Sequence, residues 1–191
     1  MERRELLKMI VVATGAAMVG LPALVQAQPP AAGAKSLFSA ADAGMLDEIA
    51  ETILPRTKTP GAKDAGAGLF MVQFVTDCYT PLQQETFRAG LVDIDKRAGG
   101  RFVSLTPQAR TELLRALDAE AKAHAVRVTE TGTAQEDGVM PHYFTMIKQL
   151  AIFGFFTSKV GATEVLQYVA VPGRYDGELA YIPGTPAWGT N

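Results

Sequence analysis

Tyr143-Phe144-Thr145-Met146-Ile147-Lys148-Gln149-Leu150-Ala151-Ile152-Phe153-Gly154-Phe155-Phe156 is the stretch that decides the fold. Its clearly polar positions, Thr145, Lys148 and Gln149, form one narrow stripe at helical spacing. Large apolar side chains cover most of the remaining circumference. Pro141, just ahead, suits the opening of a helix. A helix apolar nearly all round needs other elements packed about it. Two arrangements satisfy it. It is the central helix of a bundle, buried on every side, or it lies half in a core and half against another protein.

On its amino-terminal side the same periodicity predicts four more helices. Ser39 is a suitable N-cap, with Asp42 placed to complete a capping box. Leu46, Ile49, Ala50, Ile53 and Leu54 follow at helical spacing, and Pro55 stops the helix. Residues 55–66 carry two prolines and two glycines and read as a long loop. A second helix runs from about Gly68 to Tyr79, with Leu69, Val72, Val75 and Cys78 at three-residue steps. Thr80-Pro81 opens a third helix through Phe87, Leu91, Ile94 and Ala98, and Gly99-Gly100 ends it. Thr106-Pro107 opens a fourth, with Leu113, Leu117 and Ala121 on one face and an Asp118–Lys122 pair on the other side. Residues 127–140 read as a polar connector. After the central stretch, Thr157 or Ser158 caps a sixth helix through Val160, Val165, Leu166 and Val169. No stretch shows strand alternation flanked by hairpin turns. The expected class is therefore all-α, a single compact bundle of five to six helices over residues 37–171. Residues 172–191, with Pro172, Pro183, Pro186 and four glycines, form an irregular carboxyl-terminal arm.

The amino terminus reads differently. Arg3-Arg4 is followed by Leu6 and by Lys8, which stands just ahead of a moderately apolar stretch from Met9 to Val25. Val25-Gln26-Ala27 closes that stretch with a small-x-small pattern. This is the layout of a twin-arginine export signal, read by the twin-arginine translocase, with cleavage expected after Ala27. Proteins taking that route leave the cytoplasm folded, so the expected location is the periplasm. The competing reading keeps residues 1–27 as a membrane anchor and makes the protein a tethered binding module. A spanning helix wants about 20 apolar residues, and Thr14, Gly15, Gly20 and Pro22 interrupt this one. Residues 28–36 form a flexible leader.

The 191-residue chain carries a net charge of −2. The signal holds three basic residues (Arg3, Arg4, Lys8) and two acidic ones (Glu2, Glu5), so its removal leaves 164 residues and a charge near −3. That is one domain by length, with no basic face to suggest nucleic acid as a partner. The single cysteine, Cys78, rules out an internal disulfide. It is either a buried small hydrophobe or a bridge to another chain, and its place in the apolar series favours burial.

The sequence offers little chemistry. No Gly-x-Gly-x-x-Gly follows a strand; Gly66-Ala67-Gly68 is too short and follows a loop. There is no nucleophile elbow, no zinc helix and no Cys-x-x-Cys-His for covalent haem. Asp93 and Asp95 lie about 200° apart around a helix and do not converge. The carboxylates read mostly as solvated helix faces. His142 reads as a hydrogen-bonded packing histidine. A rival, an independent helical enzyme, would need a cleft around His142, Asp176 and Glu178. No catalytic, cofactor or metal residue is assigned. The aromatic side chains suggest a partner surface instead: Phe153, Phe155 and Phe156 on the central helix, and Tyr175, Tyr181 and Trp188 in the arm.

The order of short stretches resembles the family of gluconate 2-dehydrogenase subunit 3, the small or gamma subunit of such complexes. The stretches are Leu54-Pro55-Arg56-Thr57 with Thr59-Pro60-Gly61-Ala62, then Phe87-Arg88-Ala89-Gly90-Leu91, Gly154-Phe155-Phe156-Thr157-Ser158 and Pro172-Gly173-Arg174-Tyr175-Asp176-Gly177. The resemblance implies a non-catalytic subunit that accompanies a larger FAD-dependent dehydrogenase of the glucose-methanol-choline type. That partner oxidises a sugar, polyol or sugar acid, and a multihaem c-type cytochrome often takes its electrons. The small subunit carries the export signal for both, and membrane association comes through the complex.

Overall fold

The computed structural model describes residues 37–130 and 140–189, except 172, 174–176, 179 and 181. Each helix begins where a side chain satisfies its first free N–H groups. Ser39 Oγ accepts the Asp42 N–H at 3.2 Å while the Asp42 carboxylate accepts the Ser39 N–H at 2.7 Å. This starts α1 (Ala40–Ile53). After α2 (Ala67–Cys78), Thr80 and Gln83 repeat the reciprocal cap with Pro81 in the first turn of α3 (Pro81–Arg97). Gly99, at a φ of +70°, closes α3 in the left-handed conformation that glycine adopts without strain. A 3-10 turn (Phe102–Ser104) leads to α4 (Pro107–Glu130). His142 then opens α5 (Tyr143–Thr157), its Nδ1 accepting the Phe144 N–H at 3.2 Å.

The architecture is an all-α bundle, and no strand occurs among the described residues. α5 packs against each of α1 to α4. Its buried members, among them Phe144, Ile147, Leu150 and Ala151, meet a core that includes Leu46, Ile49, Met71, Val75, Phe87, Ile94 and Leu117. Gly68 lets α2 sit directly on α1. A Cβ there would lie 2.5 Å from the Ala43 carbonyl oxygen, and the Gly68 N–H donates to Asp47 Oδ1 at 2.8 Å.

Three expectations need correction. α4 continues to Glu130, past the expected start of the polar connector. Its last two turns lie mostly on the surface, where Thr129 Oγ1 donates back to the Ala125 carbonyl at 3.0 Å. Positions 131–139 of the connector fall outside the described residues. The sixth helix is only a short turn. Ser158 Oγ caps it by accepting the Gly161 N–H at 2.9 Å, and a π-helical turn (Gly161–Val165) ends it. The reason lies in the arm. The Gln167 N–H donates to the Ala187 carbonyl and the Gly189 N–H to the Gln167 carbonyl, both at 2.8 Å, so Gln167 and Trp188 form an isolated parallel bridge. The backbone of Gln167 is thereby withdrawn from a helix, and Val169 is not helical.

Cys78 is the third correction, because it is exposed. By angle it shares a face with Met71, but it is the last residue of α2. Burial needs a facing element, and beyond that turn Tyr79 closes the core instead, its ring edge-on to Phe74 and packed against Phe87. Leu69 is exposed for a different reason. A three-residue step slips about 60° per step, so the series leaves the core side, which is held by Ala67, Gly68, Met71 and Val75.

Candidate partner surface

The central helix is enclosed over its first turns, where no residue from Tyr143 to Lys148 is exposed, and its later turns leave one face in solvent. Gln149, Ile152, Phe153 and Phe156 stand at i, i+3, i+4 and i+7, one face of α5. Ile152 is 37% exposed, Phe153 49% and Phe156 38%. Phe155 lies about 200° round from Phe153. It is buried at 4% exposure, which removes it from the expected surface set and places it in the core. The neighbouring ring of Phe156 meets it edge-on at 5.0 Å.

The exposed strip is backed by α2. Phe70 and Phe74 are half-buried and contact the Phe153 ring at centroid distances of 5.7 and 6.0 Å. Gly154 makes room for Phe70; a Cβ at Gly154 would come within 2.5 Å of its ring. In the arm, Trp188 is 48% exposed beside Gln167. It stands on a different element from the helical strip. Tyr175 and Tyr181 lie outside the described residues, as do Asp176 and the export-signal positions Arg3, Arg4, Leu6, Lys8, Val25 and Ala27.

Polar side chains tie the bundle together more than the sequence suggests. The Tyr143 hydroxyl donates to Asp93 at 2.6 Å, and Arg97 holds both Asp93 (2.7 Å) and Glu120 (2.6 Å). α3, α4 and α5 are thus joined. The Tyr143 bond and then Arg97 hold the Asp93 carboxyl below its usual range, while burial and Asp93 push the Tyr143 phenol up. Asp95 turns away to accept the Phe102 N–H at 2.8 Å, so the two aspartates diverge as expected. Glu51 accepts the N–H groups of Arg56 and Lys63, and Asp64 that of Gly61. The loop after α1 is therefore knit by carboxylates that the sequence presents as solvated. Nothing in the residue pattern marks these ties, because each depends on where another element ends.

His142 stacks on Tyr143 at 4.5 Å and lies 6.0 Å from His124. Both histidines line a cleft of about 310 Å³ with Met140 and Thr145. Burial, and then His124, lower the His142 pKa from its ordinary 6.5. Its Nδ1 lone pair accepts the Phe144 N–H, which puts the proton of the neutral ring on Nε2. A general base at this position would have to give up the cap. Glu178 is exposed. No group of three or more metal-ligating His, Cys, Asp or Glu occurs among the described residues.

Four helices around a central fifth, with an aromatic strip left outside, define the class: a small all-α bundle with an exposed aromatic surface. The chain matches the family model described as Gluconate 2-dehydrogenase subunit 3 over residues 40–173, and it belongs to that family. The family is one of subunits of a gluconate 2-dehydrogenase complex, which implies partner subunits. No curated protein and no solved structure matches the chain. No helix among the described residues is long and apolar enough to cross a membrane.

Proposed function

We propose that this chain is the non-catalytic small subunit of a periplasmic dehydrogenase complex, and that it exports and stabilises the larger subunit. That partner is an FAD-dependent enzyme of the glucose-methanol-choline type acting on a sugar, polyol or sugar acid. A multihaem c-type cytochrome is a further partner and places the complex at the membrane. The observation that carries this reading is the family match, which spans α1 to the start of the arm. The paired Arg3-Arg4 ahead of an apolar stretch supports the export half of it.

Changing both arginines to lysine keeps the charge but loses the planar guanidinium donors. Arg3→Lys with Arg4→Lys should leave this chain and the larger subunit in the cytoplasm together. Fractionation that finds the larger subunit still exported normally would remove the carrier role.

A further inference from the structure

Phe153 is an exposed ring supported from beneath by two others. Phe70 is seated against α5 at Gly154, and from there Phe70 and Phe74 support the Phe153 ring. Behind them Tyr79 continues the ring contacts to Phe87, and Phe87 to Phe38 in the core. Half of the Phe153 surface is nevertheless in water. Ordering a flexible side chain is one of the costs of association, and the contacts with Phe70 and Phe74 already restrict the Phe153 ring in the folded chain. A rigid aromatic anchor with this support is the kind of residue that dominates binding energy.

We infer that Phe153, flanked by Ile152 and Phe156, is the anchor on which the larger dehydrogenase subunit docks, by an uncharged apolar pocket of that subunit. The inference rests on the subunit role proposed above. Charge argues against a lipid surface. The polar member of the strip is the neutral Gln149, and the chain carries a net −2, so anionic headgroups gain nothing here. Area requires a partner that reaches beyond the strip. At roughly 200 Å² per large side chain, the exposed parts of Ile152, Phe153 and Phe156 come to about 250 Å². Two such strips face to face bury about 500 Å², well under the ~1,200 Å² of a specific stable interface. The leader at 28–36, built of Gln, Pro, Ala, Gly, Lys and Ser, has no large apolar side chain to lay on the strip. A larger subunit that also engages neighbouring surfaces meets the requirement, and membership of a family of complex subunits supplies one.

Cys78, the single cysteine, provides a footprint. It is exposed one turn beyond Phe74 on the same side of α2. The Phe74 ring itself meets that of Phe153 at 6.0 Å, so an interface of about 800 Å² per partner centred on Phe153 is expected to extend to Cys78. The experiment co-expresses the chain with its dehydrogenase subunit. It compares wild type, Phe153→Ala and Phe153→Leu for affinity, for melting temperature of the chain alone, and for maleimide labelling of the Cys78 peptide. Phe153→Ala should weaken the complex about 30-fold or more, while the melting temperature falls by only a few degrees, through the lost contacts with Phe70 and Phe74. Phe153→Leu should weaken it less. Cys78 should label in the free chain and be shielded in the complex. Equal affinity of Phe153→Ala and wild type would overturn the anchor alone, as would a Cys78 that labels equally in both states. Loss of binding only in step with early melting would likewise overturn it, as would wild-type binding to vesicles or dimerisation that Phe153→Ala abolishes. A wild-type chain that co-purifies with no dehydrogenase subunit would instead remove the subunit role, and the anchor with it.

Discussion

Replacing Cys78 by serine should cost little. The thiol is exposed at the last residue of α2, so the change swaps one solvated group for another. Surface substitutions of this kind stay within about 0.5 kcal/mol. The apolar series on which Cys78 falls predicts burial and a loss of about 1 kcal/mol, and denaturant midpoints of the two proteins decide between these. A shift of about 1 kcal/mol would mean that the folded protein keeps the sulfur from water. His142 responds to pH rather than to size. Burial and His124 hold its folded pKa below the ordinary 6.5, so the unfolded chain takes up the proton first as pH falls. The stability contributed by the neutral ring is complete above about pH 6.5 and is lost as pH falls from there through the depressed folded value. His142→Asn keeps a side-chain oxygen for the cap and removes the titration. Denaturant midpoints at about pH 7.5 and about pH 5.5 should differ more for wild type than for the variant. Equal differences would show that the ring is not held neutral.

Between elements, α2 approaches the backbone of α1 closely at Gly68. Its missing side chain brings α2 within reach of the Ala43 carbonyl, and its N–H occupies the Asp47 carboxylate. Gly68→Ala sets a methyl 2.5 Å from a backbone oxygen, which no rotamer change relieves. The helices must separate, at a cost of about 1–3 kcal/mol, although alanine favours the helix itself by up to about 1 kcal/mol. A denaturation midpoint at or above wild type would show that the two helices are free to slide apart. The same contrast between local and distant causes explains what the sequence discloses. The caps at Ser39 and Thr80 are legible because donor and acceptor stand three residues apart. The core face of α3 is legible because helical period alone selects Phe87, Leu91 and Ile94. The central helix is recognisable from its apolar girth, and so are Phe153 and Phe156 as candidates for its outer face. Which phenylalanine faces out is not legible, because the answer depends on where Phe70 and Phe74 stand. The end of the last helical turn is hidden for a similar reason: Gln167 leaves it to pair with Ala187 and Gly189, about 20 residues further on. Asp93 reads as a solvated carboxylate until α5 delivers the Tyr143 hydroxyl to it.

For the molecule as a whole, the proposed division of labour puts the flavin in the other subunit, and the bundle itself gives a physical reason. The Rossmann-type dinucleotide site is a glycine-rich turn between strand and helix whose free N–H groups point at the pyrophosphate. Gly66-Ala67-Gly68 enters α2 from a loop instead. The Gly68 N–H is occupied by Asp47, so the site presents a carboxylate where a phosphate would have to come. Like charges at that distance repel, and the pyrophosphate would also have to displace the bond that seats α2 on α1. The chain expressed alone should therefore elute from gel filtration without flavin absorbance and show no activity on sugars with an added electron acceptor. Co-purified with the larger subunit, the complex should carry flavin in proportion to that subunit and not to this one. Denaturing the two purified subunits separately and measuring released flavin makes the assignment. Stoichiometric flavin released from the small chain, purified free of its partner, would place a cofactor site in this bundle and end its reading as a non-catalytic subunit.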